Sequence, residues 1–409
     1  MTPDATRPPT GAGGDHASLL TGRIVSADGV VPDGVVVVSG ATIAWAGPRA
    51  ELPERWAHAP EPEGWAPGQT LLPGLVDIHC HGGGGGEFGP EPGGARKAID
   101  HHHRSGTTTL VASLVSGFRP TMLDGIRTLV PHAAGGELAG IHLEGPFLSS
   151  ARCGAQDPEA LGAPDPAFLD QVAAAGTGFV AHMTYAPELP GAADVPDWLA
   201  AMGAVAAVGH TDARWADAAA ALAAARTSAR GGRPLVTHLF NGMPPMHHRA
   251  PGPVAAALSA AARGEAVVEV IADGVHLDAG TVHMVFDTVG ADNIALVSDA
   301  MAASGLPDGD YTLGRQAVRV TGREARLVPS GSLAGGVSTV LEQVRWCVQE
   351  LGIGLVDAVT AASRTPAMAL ALTGSGALAT GQHADVVVVD DELTLRRVMR
   401  RGAWLPSPA

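Results

Sequence analysis

The sequence has little positive charge. Its 409 residues include only 26 Lys and Arg against 41 Asp and Glu, which gives a formal net charge of -15 at pH 7. Proteins that bind nucleic acids or anionic membranes need clustered positive charge, so this composition argues against both as partners. It favours a small molecule instead.

Cysteine and long apolar runs are also scarce. Cys80, Cys153 and Cys347 are too few and too scattered for a disulfide framework, which indicates the reducing environment of the cytoplasm. No apolar run is long enough to span a bilayer. Residues 1–17 lack the apolar stretch of a signal peptide, and we expect them to form a disordered leader.

The remaining chain divides into two structural units. Short strand-like segments fill residues 18–72 and return in residues 377–409, which predicts a small β-sandwich domain built from both chain ends. Over residues 73–376, apolar runs alternate with Ala-rich helical segments such as DARWADAAAALAAARTSAR. This alternation is typical of βα units around a parallel sheet. We therefore expect an α/β protein whose larger domain is a (β/α)8, TIM-like barrel.

Six of the apolar runs in this middle region carry histidine or an acidic residue at their ends: LVDIHCH, LAGIHLEG, VAAVGH, PLVTHLFN, VVEVIADGVH and NIALVSDA. In such a barrel, the carboxyl ends of different strands meet at one mouth, where functional groups collect. In the first run, His79 and His81 share one face of the strand while Cys80 points to the other. The sequence predicts that these polar groups converge.

The residue types at these strand ends suit a metal centre. The predicted ligands are His79, His81, Glu144, His210 and His238, with Asp299 as the acid–base group. Imidazole and carboxylate together suit zinc or a similar first-row divalent ion. Such an ion lowers the pKa of bound water towards about 7, and a free carboxylate nearby could take the water's proton.

Each feature also has a structural interpretation. An isolated His-x-His pair could be hydrogen-bonded rather than metal-bound. Glu144 could cap a following helix, and Asp299 could be an N-cap. The coincidence of polar groups at the ends of five predicted strands favours the metal centre.

Other segments are weaker candidates. Residues 101–103, three histidines in a predicted helix, are expected to be solvated, and His142 is expected to be a hydrogen-bonded core residue. His247 and His248 lie in a Pro-rich loop that could contact a substrate. Residues 82–86, all glycine, could let the backbone approach a ligand or could form a pliable connector.

Several motifs in the order of the chain resemble the amidohydrolase superfamily and, within it, deacetylases of N-acetylglucosamine 6-phosphate: LPGLVDIHCHG, GIHLEGPFLSS, VGHTDA, THLFNGMPPMHHRAPG, ADGVHLD, LVSDAMAASG and GSLAGGVSTV. The resemblance implies hydrolysis of this acetylated sugar phosphate to glucosamine 6-phosphate and acetate. It also implies a divalent metal, with zinc expected first and iron, cobalt or manganese as alternatives. Glu144, His210 and His238 match the residues that hold the principal ion, whereas His79 and His81 match a pair that holds a second ion in some members. One or two ions are therefore compatible with the sequence.

The resemblance assigns further roles around the metal. Asp299 matches the carboxylate that activates water and protonates the departing amine. Asn241, the backbone of Gly242, and His276 match groups that hold the sugar phosphate. Arg249 matches an arginine that reaches the phosphate in the neighbouring subunit, which implies a homodimer.

One position departs from the family pattern. Gln156 stands where these deacetylases carry a histidine that hydrogen-bonds the substrate near the scissile amide. A glutamine amide can still donate a hydrogen bond but cannot carry positive charge, so we expect contact to be kept and turnover to be lower. Three alternatives remain: the galactosamine epimer as substrate, another amide such as a cyclic one, and a catalytically silent metal-binding protein.

Overall fold

The two ends of the chain meet in one seven-stranded sheet. The structure, a computed structural model, describes residues 17–91, 93–226 and 232–407. The N-terminal strands of this sheet are β1 (Ala17–Ser26), β2 (Gly29–Ser39), β3 (Thr42–Pro48) and β4 (Thr70–Pro73). Its C-terminal strands follow all the other elements of the chain. The leader predicted for residues 1–17 falls outside the described residues except for Ala17, which begins β1.

The middle of the chain forms an eight-stranded parallel sheet. Its strands are β5 (Leu75–Cys80), β8 (Thr107–Leu114), β9 (Gly140–Glu144), β10 (Val180–Tyr185), β11 (Val205–Val208), β12 (Leu235–Val236), β13 (Val267–Val270) and β14 (Ile294–Leu296), and the short strands β6 (Gly82–Gly83) and β7 (Gly86–Glu87) form a separate hairpin. Neighbours in the large sheet follow sequence order from β5 and β8 through to β14. The backbone N–H of Asp299 donates to the carbonyl of His79 at 2.9 Å, which links the end of β14 to β5 and brings the two edges of the sheet together.

The residues of these strands explain why they lie inside. All eight residues of β8 are buried, as are all six of β10, because a parallel sheet surrounded by helices has both faces covered. The first seven helices are α1 (Gly94–Arg104), α2 (Arg119–Ala134), α3 (Pro166–Gly176), α4 (Val195–Ala201), α5 (Trp215–Arg226), α6 (Gly252–Ala262) and α7 (Ala279–Val289). The predicted (β/α)8 barrel class is confirmed.

A three-stranded antiparallel sheet follows the last barrel strand and was not predicted. It consists of β15 (Gly309–Leu313), β16 (Gln316–Thr321) and β17 (Glu324–Leu327). Buried and exposed positions alternate along β16, with Val318 and Val320 turned inwards, as expected for a sheet with one wet face. The sequence analysis includes this segment in the predicted barrel domain and does not identify it as a separate sheet.

The chain then returns to the first sheet through three helices. These are α8 (Val340–Gln349), α9 (Leu355–Ala362) and α10 (Arg364–Ala369), followed by β18 (Val386–Val389), β19 (Leu395–Arg400) and β20 (Ala403–Trp404). The sheet order β20-β19-β18-β4-β1-β2-β3 joins both chain ends, although the predicted domain boundaries at residues 72 and 377 stay predictions. None of the described helices is both long enough and apolar enough to cross a membrane.

The prediction that the histidines of α1 are solvated was wrong. His102 and His103 are buried, and burial lowers the pKa of each to about 3. The His102 imidazole lies 2.9 Å from the carbonyl oxygen of Gly82 and 3.1 Å from Cys80 Sγ. The helix prediction identified the element correctly, but it could not show that α1 packs His102 against the glycine hairpin.

That packing also explains the run of glycines. A Cβ atom on Gly83 would lie 2.6 Å from the ring of His101, and one on Gly86 would lie 2.1 Å from the carbonyl of Gly94. The glycines therefore permit close approach between the hairpin and α1. The close approach that the glycines permit in this structure is to α1.

Candidate active site

Six predicted site residues meet at the carboxyl ends of the barrel strands. His79 lies within β5 and His81 directly follows it, while Glu144 is the last residue of β9. The other three, His210, His238 and Asp299, lie just beyond the ends of β11, β12 and β14. All six are buried. The structure brings together residues that are up to 220 positions apart, from His79 to Asp299.

Glu144 joins two histidines in the first of two adjoining clusters. Its Oε1 lies 3.0 Å from His210 Nε2 and 2.9 Å from His238 Nε2. The two imidazole nitrogens are themselves 3.0 Å apart. Three donor atoms of the types that zinc prefers therefore face one another, and this set can hold a divalent ion.

The second cluster consists of His79, His81 and Asp299. The two Nε2 atoms are 3.1 Å apart and lie 3.4 Å and 3.3 Å from Asp299 Oδ1. The other carboxylate oxygen of Glu144, Oε2, lies 3.0 Å from His81 Nε2, so Glu144 stands between the clusters. This second set could hold another ion, or it could leave Asp299 free for proton transfer.

Burial and charge act in opposite directions on the pKa of each carboxylate. Burial would raise the pKa of Glu144, but His79 and His210 together with the hydrogen bonds from His210 and His238 hold it well below its ordinary value. Burial would also raise the pKa of Asp299, yet His79 and His81 outweigh it and bring that pKa to about 2. Both groups therefore stay ionised at neutral pH, which is the form that binds metal or accepts a proton.

Three site residues adopt an uncommon backbone conformation. The φ angles are +46° for His210, +25° for His238 and +45° for Asp299. The left-handed region is disfavoured for residues with a Cβ and costs of order 1–3 kcal/mol where it persists. The sequence allowed the alternative that Glu144 or Asp299 caps a helix. Neither does so, since both carboxylates point at histidines.

Several residues that the sequence analysis did not single out orient these side chains. Glu269, fully buried in β13, accepts a hydrogen bond from His79 Nδ1 at 2.9 Å. Asp273 lies 2.8 Å from His276 Nδ1. Such partners fix the ring orientation of a histidine and raise its basicity. The signal for Glu269 was present in the sequence, because a single acid inside the apolar run VVEV is costly unless it is paired.

His142 behaves as predicted. Its Nδ1 lies 2.9 Å from Ser113 Oγ and its Nε2 lies 2.8 Å from Thr184 Oγ1. Burial is the main reason that its pKa falls well below the ordinary value. The prediction of a hydrogen-bonded core histidine is confirmed.

A cavity of about 240 Å³ opens from the clusters towards solvent. Its lining combines site histidines and carboxylates with the predicted substrate residues Gln156, Asn241, Gly242 and His276 and with apolar Leu313 of β15. A Cβ on Gly242 would lie 2.8 Å from His210 Nδ1, so glycine allows this loop to pass close to the imidazole of His210. A larger cavity of about 740 Å³ lies elsewhere, next to β16 and α8, and contains none of the predicted ligands.

Arg249 stands apart from this cavity. It lies in a turn in which the backbone groups of His247 and Ala250 pair at 3.2 Å and 2.9 Å, and the whole turn is exposed. Within the described part of the chain, its guanidinium forms no hydrogen bond or ion pair. It does not line the cavity of its own chain.

Known proteins resemble this chain along most of its length. Residues 70–405 match the model of the amidohydrolase family. The N-acetylglucosamine-6-phosphate deacetylase of Lysinibacillus sphaericus is 34% identical over 347 residues, which cover 82% of this chain and 85% of that protein. The N-acetylgalactosamine-6-phosphate deacetylase of Escherichia coli O157:H7 is 31% identical over 340 residues, with 82% and 87% covered.

A solved structure extends the comparison to three dimensions. It is that of a variant of N-acetyl-D-glucosamine-6-phosphate deacetylase from Mycobacterium smegmatis in complex with N-acetyl-D-glucosamine-6-phosphate. The two chains are 36% identical and superpose with a TM-score of 0.88, covering 95% of this chain and 99% of the other.

Proposed function

Because the chain belongs to the amidohydrolase family, we propose that it hydrolyses N-acetylglucosamine 6-phosphate to glucosamine 6-phosphate and acetate. The chain is a hydrolytic enzyme that deacetylates an amide. The observation that carries the substrate assignment is the cavity in which the donor clusters, Asp299 and the predicted sugar-phosphate residues face one another. The similarity to deacetylases of this sugar phosphate supports the same substrate.

The chemistry of the donor set fits a divalent ion, for which we propose zinc. Glu144, His210 and His238 would hold the principal ion, and His79 and His81 would hold a second one where two are bound. A bound ion supplies a Lewis acid that polarises the amide carbonyl and acidifies water. Softer ligands such as thiolates are absent from these two described clusters, so iron, cobalt or manganese would also be accepted.

Asp299 performs the proton transfers. With its pKa near 2 it is a carboxylate at neutral pH, so it can accept the proton of the attacking water. The water oxygen forms a bond to the carbonyl carbon, the C–N bond breaks, and Asp299 delivers the proton to the departing amine nitrogen. The same carboxylate therefore acts first as a base and then as an acid.

The other predicted residues hold the sugar phosphate. Asn241, the backbone of Gly242, and His276 line the cavity and offer hydrogen-bond donors to its oxygens. Arg249 is exposed, and its guanidinium has no partner among the described residues, which supports a homodimer in which it reaches the phosphate bound by the neighbouring subunit. An arginine fork matches the oxygens of a phosphate and would favour the phosphorylated sugar over the neutral one.

We place this enzyme in the cytoplasm. Its three cysteines are all free thiols, and Cys80 and Cys347 are buried. A reducing compartment keeps such thiols unoxidised.

The test is amine release by zinc-loaded protein from three compounds in parallel. N-acetylglucosamine 6-phosphate should be hydrolysed much faster than unphosphorylated N-acetylglucosamine and faster than N-acetylgalactosamine 6-phosphate. The epimer belongs in the assay because a relative of similar identity carries the galactosamine name. Preference for N-acetylgalactosamine 6-phosphate would change the assigned substrate but leave the proposed deacetylation mechanism intact. Inactivity on all three compounds would overturn the proposal.

A further inference from the structure

Gln156 has both ends of its amide engaged by the protein. It is only 5% exposed. Its Oε1 accepts a hydrogen bond from the backbone N–H of Ser116 at 2.7 Å, and its Nε2 donates to Glu144 Oε2 at 2.5 Å. A side chain that served only to bind substrate would not need hydrogen bonds to two buried groups of the protein.

These contacts form a closed ring of three residues. Ser116 Oγ donates to the carbonyl oxygen of Glu144 at 2.7 Å, while its backbone N–H holds the Gln156 side chain. The orientation of the amide follows from this ring, because a backbone N–H can only donate and so must face Oε1. The Nε2 group must then face Glu144.

The ring separates the tasks of the two carboxylate oxygens of Glu144. Oε2 receives the amide of Gln156 and faces His81, whereas Oε1 lies 3.0 Å and 2.9 Å from the Nε2 atoms of His210 and His238 and farther, 3.6 Å, from that of His79. We infer that Gln156 is a positioning residue that holds Oε2 and so directs Oε1 alone towards the principal metal ion. This inference rests on the proposed metal centre, and it gives Gln156 a task that does not involve the substrate.

The amide retains one hydrogen for another partner. Nε2 carries two hydrogens, of which one is donated to Glu144, and Gln156 also lines the substrate cavity. It can therefore hold the carboxylate and still donate to a bound substrate. A neutral imidazole has a single N–H, so glutamine can keep both contacts without the protonation that a histidine would need.

Zinc binding without substrate tests the inference. The metal-free protein is titrated against a chromogenic chelator as wild type, Gln156→Met and Gln156→Asn. Methionine keeps the length and removes the amide, whereas asparagine keeps the amide but is one methylene too short to join Ser116 and Glu144. Both should bind zinc roughly 10- to 100-fold more weakly, the range for loss of a partner that orients a metal ligand. Glu159→Gln is the control, because Glu159 lies in the same loop with an exposed side chain that contacts Arg315 and not the site.

Cobalt spectra separate positioning from a general loss of structure. Releasing Oε2 lets Glu144 bind through both oxygens, so the visible absorption of the cobalt-loaded Gln156→Met protein should fall as the coordination number rises. A melting curve like that of the wild type confirms folding. If the methionine variant does not fold, the cobalt spectra are recorded on Gln156→Asn instead. Unchanged zinc affinity and unchanged cobalt spectra would overturn the inference. A wild type that binds neither metal would instead overturn the proposed metal centre.

Discussion

The contact between Asp273 and His276 allows a prediction about pH dependence. Asp273 Oδ2 lies 2.8 Å from His276 Nδ1, and Oδ1 accepts the backbone N–H groups of Val275 and His276 at 2.9 Å and 2.8 Å. Both side chains are buried. In Asp273→Asn, the two backbone donors keep the amide oxygen in place, so the NH2 group faces His276 Nδ1. That nitrogen must then be unprotonated, which makes His276 neutral with its remaining hydrogen on Nε2.

The direction in which the Asp273→Asn substitution changes the charge of His276 follows from the pKa of this histidine. Burial acts to lower this pKa, but the hydrogen bond and charge of Asp273, with a contribution from Asp299, raise it above the ordinary value. The wild-type imidazole therefore keeps its charge to a higher pH than an ordinary histidine would, and it loses that charge as the pH rises through the raised pKa. Asparagine removes the main cause of the increase, so in the variant the charge is already lost at lower pH.

The magnitude is the difference between a charged and a neutral hydrogen bond. A hydrogen bond to a charged group contributes about 1.5–3 kcal/mol and a neutral one about 0.5–1.5 kcal/mol. Losing the charge but not the donor should therefore cost about 1 kcal/mol, or roughly a fivefold rise in KM for the phosphorylated sugar, at pH values where the wild-type imidazole is charged and that of the variant is not. The ratio of the variant's KM to that of the wild type should fall towards alkaline pH and pass below one, because neutral His276 in the wild type keeps its hydrogen on Nδ1, facing the Asp273 carboxylate, whereas in the variant the hydrogen is on Nε2.

The assay is steady-state deacetylation from neutral to alkaline pH with wild type, Asp273→Asn and Asp278→Asn. Asp278 is the matched control, because it caps α7 through the N–H of Gly280 and is exposed. Its KM should match the wild type at every pH. A KM ratio for Asp273→Asn that stays constant with pH, or equals one throughout, would refute the role given to the charge on His276.

Three further substitutions test the remaining assignments. Asp299→Asn should retain zinc, measured by metal analysis, and lose roughly 10²-fold or more in turnover because no carboxylate transfers the proton; full activity would remove Asp299 from the mechanism. Arg249→Ala should raise KM for the phosphorylated sugar about tenfold with an unchanged melting temperature, since a charged hydrogen bond to phosphate is lost from an exposed turn; an unchanged KM would count against the phosphate role. Gln156→His, assayed at saturating zinc, should increase turnover, by up to about 10²-fold if the imidazolium stabilises developing charge; no gain or a decrease would contradict the prediction.

The sequence predicted the barrel and the clustered residues because both depend on patterns that are local in the chain. Each strand is a short apolar run, and each predicted ligand lies at or just after such a run, as His210 does after VAAV. The rule that the carboxyl ends of parallel strands share one mouth then converts six separate positions into one site. No knowledge of the distances between strands is needed for that step.

The residues that orient the site could not be predicted in the same way. The hydrogen bond between Ser116 and Gln156 depends on how two loops pack together. The sequence of neither loop specifies which residue of the other loop it will contact. The burial of His102 likewise depends on the glycine hairpin, which packs against the face of α1 that carries this residue. Periodicity identifies an element and its faces, whereas these contacts are decided by which element lies opposite.

The backbone strain at the site arises from the same turns that direct the side chains. His210 and His238 each lie two residues beyond the end of a barrel strand, where the chain leaves the barrel and both adopt positive φ. Hydrogen bonds of the neighbouring residues hold these turns, because the N–H of Thr211 donates to Gly242 and that of Leu239 donates to Glu269. From these two turns both imidazoles reach the same carboxylate, since His210 Nε2 and His238 Nε2 lie 3.0 Å and 2.9 Å from Glu144 Oε1. Local propensities describe unstrained elements, and for that reason the sequence could indicate which residues meet but not the conformation in which they do so.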